Sequence, residues 1–215
     1  MTLKTAISAF AAAAALTFAA GSALAQDAIT HDPAAAKSGE YVLDPDHGKI
    51  TFSVVHMGYS VYQGQFTGVQ AKLHLDAANP AASTLDAVVP VAGIATGNPK
   101  LDEHLKTPDF FDVAKFSDVK FHATKIERTG PKTARITGDL TLLGATHPVT
   151  LEAEFLQAGK NPFFNAYEVG FAAHGELKRS EWGMSKYTAV PNVPGFEPVS
   201  DVVKLTFEGE FKAAQ

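Results

Sequence analysis

Residues 149–155, Val-Thr-Leu-Glu-Ala-Glu-Phe, carry the pattern on which the fold reading rests. Val149, Leu151, Ala153 and Phe155 fall on one side of an extended chain, and Thr150, Glu152 and Glu154 on the other. Successive side chains of a strand point to opposite faces, so a period of two predicts a strand with one buried and one wet face. The pattern repeats outward in both directions. Toward the carboxyl end, Phe171 and Ala173 continue toward Leu177, and Val203, Leu205, Phe207 and Phe211 alternate with Lys204, Thr206, Glu208, Glu210 and Lys212. Toward the amino end, Ile136, Leu140 and Leu142 oppose Arg135, Thr137, Asp139 and Thr141. Val119, Phe121 and Ala123 oppose Lys120, His122 and Thr124, while Leu85, Ala87, Val89 and Val91 share a face. Val69, Ala71, Leu73 and Leu75 form another, and Ile50, Phe52, Val54 and His56 the first. Phe66 is out of phase with the run after it, which predicts a bulge near Gly68.

About eight such segments, divided by Gly, Pro and Asn turns, place the chain in the mainly β class as an antiparallel barrel or sandwich. Periodicity alone does not choose between the two. Asn98-Pro99 followed by Leu101-Asp102-Glu103 is a helix start and predicts one short helix over 98–106. The stretch 185–200, with Pro191, Pro194, Gly195 and Pro198, predicts a long loop. An outer-membrane barrel shows the same alternation with the faces inverted. Here the polar faces carry Lys72, Lys120, Glu152, Glu154, Lys204, Glu208 and Glu210, which suit bulk water better than a narrow lumen.

The amino terminus has its own logic. Lys4, an apolar run from Ala6 to Ala20 and the small residues Ala23-Leu24-Ala25 predict a cleavable secretory signal over residues 1–25. The apolar run is shorter than the roughly 20 residues of a membrane span. Cleavage would leave Gln26 first, and a lipid-anchored protein needs Cys there, so the expected product is periplasmic and free of a membrane anchor. Residues 26–40 are polar and Ala-rich and predict a flexible lead before a barrel domain over 41–215. There is no cysteine, which removes thiol nucleophiles, thiolate metal sites and disulfides. The formal net charge is −5, without a basic run, which argues against nucleic acid and against anionic membrane surfaces as partners.

Four further stretches point to a family. Phe52-Ser53-Val54-Val55-His56-Met57 precedes Gly64-Gln65-Phe66, and Leu101-Asp102-Glu103-His104-Leu105-Lys106 runs into Pro108-Asp109-Phe110-Phe111-Asp112. Leu140-Thr141-Leu142-Leu143-Gly144-Ala145-Thr146-His147-Pro148-Val149 is the third, and Leu177-Lys178-Arg179-Ser180-Glu181-Trp182-Gly183-Met184 the fourth. In this order they resemble the YceI-like, polyisoprenoid-binding proteins. Trp182 departs from the Phe or Tyr usual there, and the loop after Tyr187 is longer than typical. The resemblance implies an eight-stranded, extended lipocalin-like barrel with a helix near one end. It implies an isoprenoid, isoprenoid quinone or other long-chain lipid in the lumen, and it admits a homodimer.

That expectation assigns ligand contacts to inward positions: Phe52, Val54, His56 and Phe66; Phe121, Ile136, Leu140 and Leu142; and Phe155, Phe171 and Trp182. Asp102, His104, Lys178 and Arg179 are the candidates for a polar head group, the two cations suiting a phosphate. Ordinary core packing is the competing reading for every apolar member of the set. His56, Asp102 and His104 are equally a structural network pinning the helix to the barrel, or the seed of a hydrolase or metal-dependent enzyme. No H-E-x-x-H spacing and no G-x-S-x-G elbow supports the enzyme reading among the eight histidines and the serines. The chain is therefore read as a binding protein with no cofactor; a ligand-free, stress-protective interaction protein is the remaining alternative.

Overall fold

Eleven strand segments arise from the alternating stretches in a computed structural model that describes residues 27–214. They are β1 Gly39–Leu43, β2 Lys49–His56, β3 Ser60–Phe66, β4 Gln70–Leu75, β5 Thr84–Pro90 and β6 Ile94–Ala95. After helix α1, Pro99–Leu105, come β7 Asp118–Arg128, β8 Thr133–Leu142, β9 Ala145–Lys160, β10 Tyr167–Lys178 and β11 Val202–Ala213. The signal assigned to residues 1–25 lies outside the described residues.

These segments make eight staves, because the first three are each broken in two. Along β11, β1 pairs with Phe211–Ala213 and β2 with Lys204–Glu208, so the two share one edge in succession. Next to them, β4 pairs with β1 and β3 with β2; beyond those, β5 pairs with β4 and β6 with β3. From β5 the sheet runs through β7, β8, β9 and β10 to β11, and the β1–β11 pairing closes it. Every ladder is antiparallel, and apart from the closing ladders of β11 with β1 and β2 each joins consecutive staves, so this is an up-and-down barrel. The phase change after Phe66 is a stave break rather than a bulge. Gly68 takes φ +72°, and the turn it makes lets both Phe66 and Val69 face inward. Bulges do occur, between Ala123 and Lys125 in β7 and on β9 opposite Gly170/Phe171.

Alternate hairpins of such a meander lie at the same end. One end carries the β4–β5, β7–β8 and β9–β10 connections and the amino-terminal segment. The other carries the β2–β3 and β8–β9 turns, α1 with the chain after it, and the long loop between β10 and β11. The β8–β9 turn is a two-residue connection with both Leu143 and Gly144 at positive φ, the primed geometry that matches strand twist. The segment expected to be a loose lead makes specific contacts. Thr30 and Ala158 exchange backbone hydrogen bonds of 2.8 and 2.9 Å. The Lys37 N–H donates to Tyr167 Oη, and Tyr41 Oη donates to the Lys37 carbonyl. Burial, then the neighbouring Tyr167, pushes the Tyr41 phenol above its ordinary range.

Candidate functional site: the barrel lumen

A cavity of about 360 Å³ occupies the barrel axis. Phe52 and Val54 of β2, Phe66 of β3, Phe121 of β7 and Ile136, Leu140 and Leu142 of β8 line it, with Phe155 of β9 and Phe171 of β10 across from them. The rings pack against one another. Phe52 and Phe66 have centroids 5.5 Å apart, Phe66 meets Phe111 edge-on at 5.6 Å, and Phe155 meets Phe171 edge-on at 5.7 Å. Glycine makes room for them: a Cβ on Gly138 would run into the Phe121 ring and lie 2.6 Å from the His122 carbonyl oxygen.

The two ends of the cavity differ. At the end of the β7–β8 hairpin its lining includes Ala34, Arg128, Pro131, Lys132 and Thr133, all exposed, which makes this the mouth. At the α1 end, buried Phe110, Met184 and Arg179 close it. Phe110, Trp182, Met184, Leu142 and Val149 form a separate apolar cluster there, a plug behind the lumen.

Two residues expected in the lumen lie outside its lining. Trp182 is only 3% exposed, but it belongs to the plug; its indole N–H donates to the Leu140 carbonyl at 3.1 Å, and His147 meets its ring edge-on. The 3₁₀ turn Arg179–Trp182 ends the alternation of β10 and swings the ring away from the axis. His56 is exposed rather than a core histidine, because it ends β2 at the hairpin tip, paired with Ser60 and bridged to Val199.

The polar candidates also separate. Asp102 accepts from the Thr96 backbone N–H at 2.8 Å and from Thr96 Oγ1 at 2.6 Å, tying α1 to the residue that follows β6. Asn98 caps α1 by accepting from the Lys100 and Leu101 N–H groups. His104 Nε2 lies 3.4 Å from Asp109 Oδ2, and its ring meets Phe110 edge-on. No hydrogen bond joins His56, Asp102 and His104 to one another among the described residues. Lys178 faces solvent, whereas Arg179 is 4% exposed at the closed end of the cavity. Its Nε donates to the Ser200 carbonyl, Nη1 to that of Met184 and Nη2 to that of Val199. Burial lowers its pKa from the usual guanidinium range, opposed by Asp201 and Glu197. The guanidinium is thus committed to stapling the Pro-rich loop across the barrel end.

Over residues 41–211 the chain matches the YceI-like domain. The chain belongs to the YceI-like family. A UPF0312 protein of Pseudomonas syringae pv. tomato is 35% identical over 178 residues, covering 81% of this chain and 88% of that one. The solved YCEI protein of Campylobacter jejuni is 27% identical, with a TM-score of 0.64 over 75% of this chain and 90% of that one. A polyisoprenoid binding domain from Saccharophagus degradans shares the fold, with a TM-score of 0.58 at 11% identity over 83% of this chain and all of that one (100%).

Sequence reasoning missed part of this YceI-like lumen. Val69 just before β4, Ala71 and Leu73 of β4, Leu85, Ala87 and Val89 of β5, and Leu205, Phe207 and Phe211 of β11 line it too. Their alternation was legible and could have nominated them. Phe111 and Leu105, brought in by α1 and the turn after it, had no such signal. A His/carboxylate group also appears on the outside of the YceI-like barrel, where Asp44, His47 and Glu210 lie within reach of one another. The Lys212 ammonium, 2.7 Å from the same Asp44 Oδ2 that His47 approaches at 2.8 Å, already supplies the positive charge a metal would. Burial raises the Asp44 carboxyl, but hydrogen bonds from Lys212, His47 and the Asp46 backbone outweigh it and hold it at about 2. This network pins the break between β1 and β2.

Proposed function

We propose that this protein is a periplasmic carrier of a long apolar lipid, of polyisoprenoid, isoprenoid-quinone or fatty-acyl type, held along the barrel axis. The cavity carries the reading. A lumen walled by apolar side chains offers water almost no hydrogen-bond partners, so it favours an apolar occupant over solvent. A chain threaded into it gains about 0.8 kcal/mol for each methylene removed from water. The volume falls within the roughly 300–1,000 Å³ of ligand sites, and the lining is apolar except at the rim and Arg179. The exterior carries exposed Lys72, Lys120, Glu154, Lys204 and Glu208, the reverse of a lipid-facing barrel. The name of the Saccharophagus degradans domain supports the isoprenoid class, and the signal read over residues 1–25 supports the compartment. Separation of His56, Asp102 and His104 favours binding over hydrolysis.

Native mass spectrometry of the purified protein, followed by organic extraction, should reveal one co-purifying long-chain lipid. A protein that arrives empty and takes up no polyprenol from vesicles would overturn the reading.

A further inference from the structure

The mouth end carries a feature that the lumen does not use. The β9–β10 hairpin closes through residues 161–166, Asn-Pro-Phe-Phe-Asn-Ala, and its two phenylalanines face water, Phe163 88% and Phe164 64% exposed. Single exposed apolar residues need no explanation, but two adjacent rings at a hairpin tip do. The tip is a built turn. Asn161 Oδ1 accepts from the N–H groups of Phe163 at 2.9 Å and Phe164 at 3.4 Å. Asn161 N–H donates to the Ala166 carbonyl at 2.7 Å, and Asn165 N–H donates to the Asn161 carbonyl at 3.0 Å. The backbone donors beside the rings are therefore satisfied within the turn, which is what a segment entering lipid requires.

Its position matters as much. The β8–β9 ladder ends at Thr133–Glu154, and β9 continues through Phe155–Lys160 before the turn, on the same barrel end as the mouth. Lys160 stands on the hairpin shoulder opposite Tyr167, and the Lys212 ammonium lies 5.4 Å from the Phe164 ring centroid. Arg128 and Lys132 stand at the cavity rim; Arg128 donates to the carbonyls of Gly130 and Pro131, not to a carboxylate.

We infer that the mouth end docks on an anionic bilayer, with Phe163 and Phe164 entering the headgroup–acyl boundary and Lys132, Lys160 and Arg128 at the phosphates. The net charge of −5 disfavours an anionic surface for the chain as a whole, but Arg128, Lys132 and Lys160 gathered at this end set the local field. The inference rests on the carrier reading, since docking brings the mouth over the source of its cargo. A protein partner fits less well. Two phenylalanines bury roughly 150–250 Å² each, far below the ~1,200 Å² of a stable protein interface. Weak, reversible lipid contact is what a carrier that must leave again needs. The opposite end also exposes rings, Tyr59 at 88% and, to a lesser degree, Tyr187 and Phe196, but there the cavity is closed by Arg179, Met184 and Phe110.

Flotation with vesicles of equal parts phosphatidylglycerol and phosphatidylcholine tests the inference. The wild-type protein should float with them, less so at high salt. Each of Phe163→Ser and Phe164→Ser should lower partitioning about tenfold, and Tyr59→Ser should leave it unchanged. Binding unaffected by the double Phe substitution, binding lost in Tyr59→Ser instead, or no binding by the wild type would overturn it. Loading with a detergent-dispersed polyprenol separates the two readings. The double variant should load like the wild type; loading by neither would remove the carrier reading while flotation still decides the docking.

Discussion

Single side chains with several partners hold the irregular parts of this barrel. Arg179 is buried with its guanidinium on three loop carbonyls, so Arg179→Ala would leave the acceptors of Met184, Val199 and Ser200 without donors. The expected loss is about 3 kcal/mol in urea unfolding, with faster proteolysis of the 185–200 loop. Asp44 acts similarly at the first stave break, and its sign with pH is determined. Its folded pKa of about 2 lies below the unfolded value near 3.9, so its contribution is in place above about pH 4 and disappears as the pH falls through 2. His47 runs the other way. Its hydrogen bond to Asp44, then Glu210, raises its pKa above the ordinary histidine value. Its contribution is present below the unfolded value and lost as the pH rises through the folded one. Asp44→Asn should cost about 2 kcal/mol near neutrality and flatten the acid limb of a stability-against-pH curve. Two of the three Arg179 acceptors, Val199 and Ser200, lie 20 and 21 residues away in sequence, which is why Arg179 reads there as a head-group cation rather than a loop staple.

Strands were legible wherever one face was uniformly apolar. Residues 149–155 and 203–211 stand as read, because a strand that buries one face repeats every two residues. Legibility failed at bulges and stave breaks, where an extra residue or a turn reverses the phase without leaving a hydrophobic signature. Leu156 shows this: β9 carries a bulge opposite Gly170/Phe171, and Leu156 ends up exposed while Ala158 is buried. Helix α1 was legible from its cap, since Asn98 and Pro99 act within one turn, but its Asp102–Thr96 tether was not. Close strand packing also depends on positions where a side chain does not fit. Gly138→Ala, pressed between the Phe121 ring and the His122 carbonyl, should destabilise the barrel by about 2 kcal/mol in thermal or denaturant unfolding.

At the scale of the molecule, the closed meander sets one plugged end and one open end around a single apolar volume. If that volume serves a ligand, filling it should remove binding without removing the fold. Ala87→Phe combined with Ala153→Phe places two rings in the lining. Lipid uptake should fall below detection while the melting temperature holds or rises, since the new rings occupy space rather than displace packed neighbours. A drop in melting temperature with uptake intact would mean that the lumen is core. The sequence by itself determined the inward and outward faces of most strands, the capped helix and the family, because each is written in local spacing or contiguous motifs. Only the tertiary structure decided that the first three staves are broken, that Trp182 belongs to the plug and that His56 faces solvent. It also gave the volume that stays open along the axis. These depend on closure, which brings residues more than a hundred positions apart, such as Tyr41 and Ala213, into one ladder. No pattern confined to neighbours along the chain encodes how much space a closed ring of strands leaves inside.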